Sequence, residues 1–155
     1  MVFVTENFKT KNHLQIDTIK CYSKIKGIDF HLIDLNKTEN CNHTVEFYRR
    51  HCLLAEFMEN CAENDFAYLM DSDVIAHNYE GDWEWDIQEK YDLIFYERWF
   101  NGEVVAGGYG AKNNEKTREF LKMWADLELD QPEGFSSADN GAIHVALMKW
   151  FKGKH

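Results

Sequence analysis

Apolar and polar positions follow two rhythms along this chain, one with the period of a strand and one with the period of a helix. Val2-Phe3-Val4-Thr5 is a short β-branched run that reads as a strand, followed by polar residues that read as a loop. Leu14, Ile16, Ile19, Tyr22 and Ile25 then recur at near-helical spacing, and Gly27 marks the stop of that helix. From Ile28 to Leu35 apolar and polar residues alternate before becoming continuous, as in a strand with one covered face. A polar loop covers Asn36 to Asn42. Thr44 offers an N-cap for a helix running to about Asn64, with Val45, Tyr48, Cys52, Ala55 and Met58 on one stripe and Arg49, Arg50, Glu56 and Glu59 opposite. Phe66 to Met70 is an apolar run of strand length that ends in Asp71-Ser72-Asp73.

Two strand–helix units and a third strand predict an α/β fold with a mainly parallel sheet. Beyond it, Asp92 to Tyr96 and Val104 to Ala106 predict two more strands, joined by an aromatic loop with Trp99 and Phe100, and Gly107-Gly108 permits close backbone approach. Asn114 to Leu129 and Asp139 to Phe151 carry apolar residues at helical spacing and predict two further helices. No repeat with a period of about 20 to 50 residues is visible.

Length and charge narrow the picture. A chain of 155 residues with a single Pro and nine Gly fits one domain over 1–155 with no linker. With 27 Asp+Glu against 17 Lys+Arg, the net charge of -10 repels phosphate backbones and anionic lipid, so neither nucleic acid nor a membrane surface is an expected partner. An anionic ligand needs a cation beside it. The start Met1-Val2-Phe3-Val4-Thr5 lacks the pattern of a signal peptide, and no run is apolar enough to span a bilayer, so a soluble chain is expected. Cys21, Cys41, Cys52 and Cys61 lack zinc-site spacing and read as ordinary buried or free thiols, with disulfides the alternative. Asn36-Lys37-Thr38 and Asn42-His43-Thr44 are glycosylation sequons that matter only in a secretory compartment.

The chemistry concentrates at Asp71 and Asp73. Ligands of open α/β sheets bind beyond the carboxyl ends of the strands, where these residues fall. Two carboxylates one residue apart suit a hard divalent cation, Mn²⁺ or Mg²⁺, which would bridge to a diphosphate and supply the missing positive charge. The plain alternative is a pair of turn residues. A haloacid-dehalogenase-like phosphatase is a further reading, with Asp71 as nucleophile and a GDxxxD at Gly81 to Asp86, but that motif follows Asp73 too soon.

Taken together, Cys21-Tyr22, Arg49-Arg50-His51-Cys52, Asp71-Ser72-Asp73, Glu97-Arg98, Glu103 through Tyr109, Ala111-Lys112-Asn113 and Asp139 through His144 resemble a nematode-expanded domain-of-unknown-function family, number 273. That family is itself similar to plant and fungal galactosyl- and xylosyltransferases of the GT-A fold. The resemblance implies a three-layer GT-A-like sandwich that transfers a hexose or pentose, galactose foremost, from a UDP-sugar to a glycan acceptor, with a divalent cation and retention at the anomeric carbon. It implies Asp73 as direct metal ligand, with Asp71 sharing the metal or the donor ribose. Thr5 and Glu6 would hold the nucleoside, Gly107 and Gly108 would admit the donor sugar, and Asp139 and Asn140 would act on it. Arg98 would neutralise phosphate or pair with Glu97.

Each role has a structural counterpart. Arg49 and Arg50 read as helix-surface cations, since consecutive helix positions diverge by roughly 100 degrees. Trp83, Trp85 and Trp99 offer a stack for an acceptor sugar but fit core or rim packing. Asp139 serves equally as an N-cap, and Glu103 and Tyr109 read as structural. His144, one helical turn from Asn140, reads as packed or solvent-facing before it reads as a metal ligand. The transferases use a more distal His on the metal; here the chain ends at Lys152-Gly153-Lys154-His155, and a terminal His155 is a weak substitute. The resemblance implies a Golgi lumen, behind an anchor that these residues do not contain. A truncated relic that binds nucleotide sugar or glycan without turnover is the alternative to an active transferase.

Overall fold

The computed structural model describes residues 1–36, 40–80, 85–130, 132–135 and 138–152. β1 (Val2–Val4) leads into α1 (Glu6–Lys11) and α2 (His13–Lys26). Gly27 ends α2 in the left-handed conformation (φ 66°), and the amide of Ile28 donates to Ser23, closing the last turn. The polar stretch expected to be a loop is therefore partly α1, a helix that buries none of its residues and so carries no apolar stripe. β2 (Leu32–Asp34) is shorter than the alternation predicts, because its sole neighbour β1 offers three residues to pair with.

α3 (Glu46–Glu59) begins after Val45, since the Thr44 hydroxyl donates to Glu128 Oε1 (2.6 Å) rather than capping the helix. β3 (Phe66–Met70), α4 (Trp85–Lys90) and β4 (Leu93–Glu97) follow. β5 (Val104–Lys112) runs well past the Ala106 end that its glycines suggest. Its glycines serve packing: a Cβ on Gly110 would lie 2.5 Å from the Phe66 ring. α5 (Glu115–Ala125), capped by Asn114 accepting from the Thr117 amide, passes into a 3₁₀ turn (Asp126–Leu129), and α6 (Ala138–Lys152) closes the fold.

The strands form one sheet in the order β2-β1-β3-β5-β4. β1 pairs parallel with β2 and β3, whereas β5 runs antiparallel between β3 and β4. Four strands thus point one way, with β5 reversed. On one face α3, α5 and α6 bury Tyr48, Leu54, Leu69, Tyr109, Phe120 and Trp124. On the other, Ile16 and Ile19 of α2 pack on Val2 and Val4 of β1, and α4 lies over β3 through Gln88 and Tyr68. That is a three-layer α/β/α sandwich.

One cysteine expectation is corrected. Cys41 and Cys52 form a disulfide (Cα–Cα 5.8 Å) that ties the segment before α3 to its second turn, while Cys21 and Cys61 are free thiols. Among the described residues no helix is long and apolar enough to cross a membrane.

Candidate functional site at the strand ends

β3 ends against an irregular stretch of β5. Phe95 pairs with Tyr109 and Tyr96 with Val105, so Ala106, Gly107 and Gly108 are extra residues that bulge from the β4–β5 ladder. The bulge is held from two sides. The amide of Asp71 donates to the Gly107 carbonyl (2.7 Å), and the amide of Ala106 donates to Asn140 Oδ1 (2.8 Å). One turn along α6, His144 Nε2 accepts from the Val104 amide (3.1 Å), so Asn140 and His144 together secure β5 to α6. That nitrogen is engaged and is no metal ligand in this arrangement. Gly107 is required by close approach, since a Cβ there would lie 2.1 Å from Asp71 Oδ2.

Behind the carboxylates sits Arg50, which corrects the reading of it as a surface cation. Its guanidinium is buried and forks between Asp71 Oδ1 and Asp139 Oδ2. Burial opposes its charge, but the Asp139 and Asp71 carboxylates outweigh that and move its pKa up. Arg49 points elsewhere, donating to the His43 and Leu35 carbonyls, so the two arginines do diverge. The missed signal lies in Leu54 and Met58, which follow Arg50 at four-residue steps and are both buried.

His51 and Tyr109 extend this network into the core. His51 Nδ1 shares a 2.8 Å hydrogen bond with the Tyr109 hydroxyl, its Nε2 lies 3.5 Å from Asp139 Oδ2, and its ring stacks on Trp124 at 3.5 Å. Burial pushes His51 down to about 4 and the Tyr109 hydroxyl well up. Burial also raises the Asp71 carboxyl; Arg50 pulls it back, and Asp139 and Asp73 add to the rise. Asp139, in contact with Arg50 and near His51, has a side chain only 2% exposed.

In front, the picture is open. Asp73 is exposed and its carboxylate has no hydrogen-bond or ion-pair partner among the described residues. Ser72 is buried and accepts from Asn12 Nδ2 (2.8 Å), which fixes the turn to the start of α2. A cleft of about 150 Å³ lies here, bordered by Phe3, Phe8, Asn12, Arg50, Asp71 and Asp73. On the α2 side of the sheet Asp71, Gly107 and Gly108 also border a larger, mostly apolar cavity of about 760 Å³ with Tyr22, Met70 and Tyr96. Asp71 thus stands between two spaces.

The other candidates fall around this centre. Thr5 is buried at the carboxyl end of β1, its carbonyl accepting from the Lys9 amide, and Glu6 is exposed 3.6 Å from Lys9 Nζ. Arg98 pairs with Glu103 (2.6 Å) and its amide donates to the Glu103 carbonyl (2.8 Å), which closes the β4–β5 hairpin. Trp99 at its tip is 94% exposed, which corrects its assignment to packing. His155, Trp83, and Gly81 to Glu84 of the GDxxxD lie outside the described residues, as does the side chain of Trp85. Cys41, Cys52 and Glu56 cluster closely enough to suggest a metal, but the disulfide occupies both sulfurs.

Three comparisons bear on this arrangement. A family model described as "Protein of unknown function, DUF273" matches residues 19–155. No curated protein matches. Among solved structures, a "crystal structure of a glycosyltransferase involved in the glycosylation of the major capsid of PBCV-1" superposes with a TM-score of 0.67 at 14% identity, covering 92% of this chain and 72% of that one. At that identity the likeness is one of fold.

Proposed function

We infer that this chain, which belongs to the DUF273 family of proteins of unknown function, is a single glycosyltransferase-like domain whose donor is a UDP-sugar held at Asp71 and Asp73. The observation that carries the reading is the open carboxylate Asp73 beside Asp71, at the strand ends of a fold shared with a glycosyltransferase. Charge supports a cation there. One guanidinium, Arg50, pairs with Asp71 and Asp139, and Asp73 adds a third carboxylate beside Asp71, so the cluster has two more carboxylates than cations and would repel a diphosphate. The oxygen donors of Asp71 and Asp73 fit Mn²⁺ or Mg²⁺, with Asp73 free and one Asp71 oxygen left over by Arg50. When bound, such an ion would supply positive charge to the nucleoside diphosphate, which is the group that leaves the sugar.

The remaining work belongs to this chain's own residues. Thr5 and Glu6, just past the carboxyl end of β1, would hold the nucleoside. Gly107 and Gly108 would let the donor sugar approach the β5 backbone; at Gly107 a side chain would displace Asp71, and at Gly108 it would project into open space. Arg50 orients Asp71, and Asp139 orients Arg50, so Asp139 acts by positioning; Asn140 does the same by holding the bulge. Arg98 is paired with Glu103 and borders neither cavity. The burial of Asp139 also favours a second reading, a non-catalytic domain that binds the nucleotide sugar or a glycan acceptor without transfer. Calorimetric titration of Mn²⁺ separates the central reading from its absence: the wild type binds and Asp73→Asn does not. Equal heats from both proteins would remove Asp73 from the site, and single-turnover assays on the loaded protein then distinguish transfer from binding alone.

A further inference from the structure

The segment entering α3 carries a feature that the donor site does not use. Asn42-His43-Thr44 is an N-glycosylation sequon, and in isolation such a triplet says little, because the modification needs both a secretory compartment and an accessible asparagine. The structure supplies an observation for each. Cys41, immediately before the sequon, is bridged to Cys52, and such bridges persist in oxidising compartments but are rare where glutathione keeps thiols reduced. Asn42 itself is exposed, and its side chain has no hydrogen-bond partner among the described residues.

Its neighbours are all anchored. His43 Nε2 lies 3.2 Å from Asp126 Oδ1, the Thr44 hydroxyl donates to Glu128 Oε1 at 2.6 Å, and the Val45 amide donates to the same oxygen at 2.5 Å. The backbone is therefore fixed on both sides of a side chain that faces solvent. We propose that Asn42 is an N-glycosylation site and that the chain matures in the oxidising compartment that closes the Cys41–Cys52 bridge. The modification forms an amide-to-sugar bond at Asn42 Nδ2, with an activated lipid-linked oligosaccharide as the donor of the glycan and the lipid diphosphate as its leaving group. This inference stands apart from the donor-site reading, because Asn42 borders neither cavity.

The test uses the protein expressed in eukaryotic cells from its complete gene, digested without reduction and mapped by mass spectrometry with and without peptide N-glycosidase in heavy-oxygen water. The expected result is a Cys41–Cys52-linked peptide in which residue 42 appears as heavy-labelled Asp only after the enzyme, and a gel shift that Asn42→Gln abolishes while leaving the melting temperature unchanged. The same map reads the sequon at Asn36 separately. Unmodified Asn42, whether the two cysteines are bridged or reduced, overturns the proposal.

Discussion

Removing the charge of Arg50 perturbs the site at its most buried point. Arg50→Met keeps the apolar stem and leaves Asp139, whose side chain is 2% exposed, without its guanidinium partner. Asp71 is less affected, because its side chain is 36% exposed and water replaces part of the loss. Breaking a buried ion pair from one side costs about 3 to 5 kcal/mol, a large share of the about 5 to 15 kcal/mol that holds a domain together. For a chain of 155 residues this corresponds to a fall in melting temperature of about 6 to 20 °C. Urea titrations at pH 7 measure it, with an unchanged slope showing that stability has changed and the surface exposed on unfolding has not. Adding Asp139→Asn removes the carboxylate charge that lost its guanidinium, so the double variant should recover part of the loss and give a coupling energy above about 1 kcal/mol. A loss below about 1 kcal/mol for Arg50→Met, or no recovery in the double variant, would refute the reasoning.

Two other perturbations read the surrounding structure. Burial depresses His51 to about 4 against an unfolded value near 6.5, so the unfolded chain takes up the proton first; stability present above pH 6.5 is lost as pH falls toward 4, by about 3 kcal/mol at full extent. His51→Gln should flatten that slope in chemical denaturation at pH 7 and 4.5, and an identical slope would show that His51 does not carry it. Gly107→Ala places a methyl on Asp71 Oδ2, and overpacking of this kind costs about 1 to 3 kcal/mol. Calorimetry should also show Mn²⁺ binding weakened in that variant, and unchanged affinity would mean that Asp71 tolerates displacement.

What the sequence revealed depended on the range of the forces involved. β3, its terminal Asp71 and Asp73, the stop at Gly27 and the two late helices rest on local periodicity and turn chemistry, and they were legible. α1 was not, because its Glu-Asn-Phe-Lys-Thr-Lys run buries nothing and leaves no stripe. Arg50 was hidden for a different reason: its partners Asp71, just past β3, and Asp139, in α6, are 21 and 89 positions away, and only the fold brings them together. The Cys41–Cys52 bridge spans only 11 positions, but spacing alone does not select that pair from four cysteines. The glycines of β5 concealed its length, because their low strand preference masks a role in bringing Asp71 and the rings of Phe66 and Tyr68 close to the backbone.

The central claim, a cation-dependent UDP-sugar site at Asp71 and Asp73, is tested most directly by thermal unfolding with and without Mn²⁺ in the presence of UDP, UDP-galactose, UDP-glucose, UDP-xylose and GDP-mannose. A ligand at 100 times its dissociation constant stabilises by about 2.7 kcal/mol, which for this length is a rise of about 5 to 10 °C. The account predicts such a rise for uridine nucleotides only, only with Mn²⁺, and not in Asp73→Asn. A folded wild type with no Mn²⁺-dependent rise for any uridine nucleotide would contradict it.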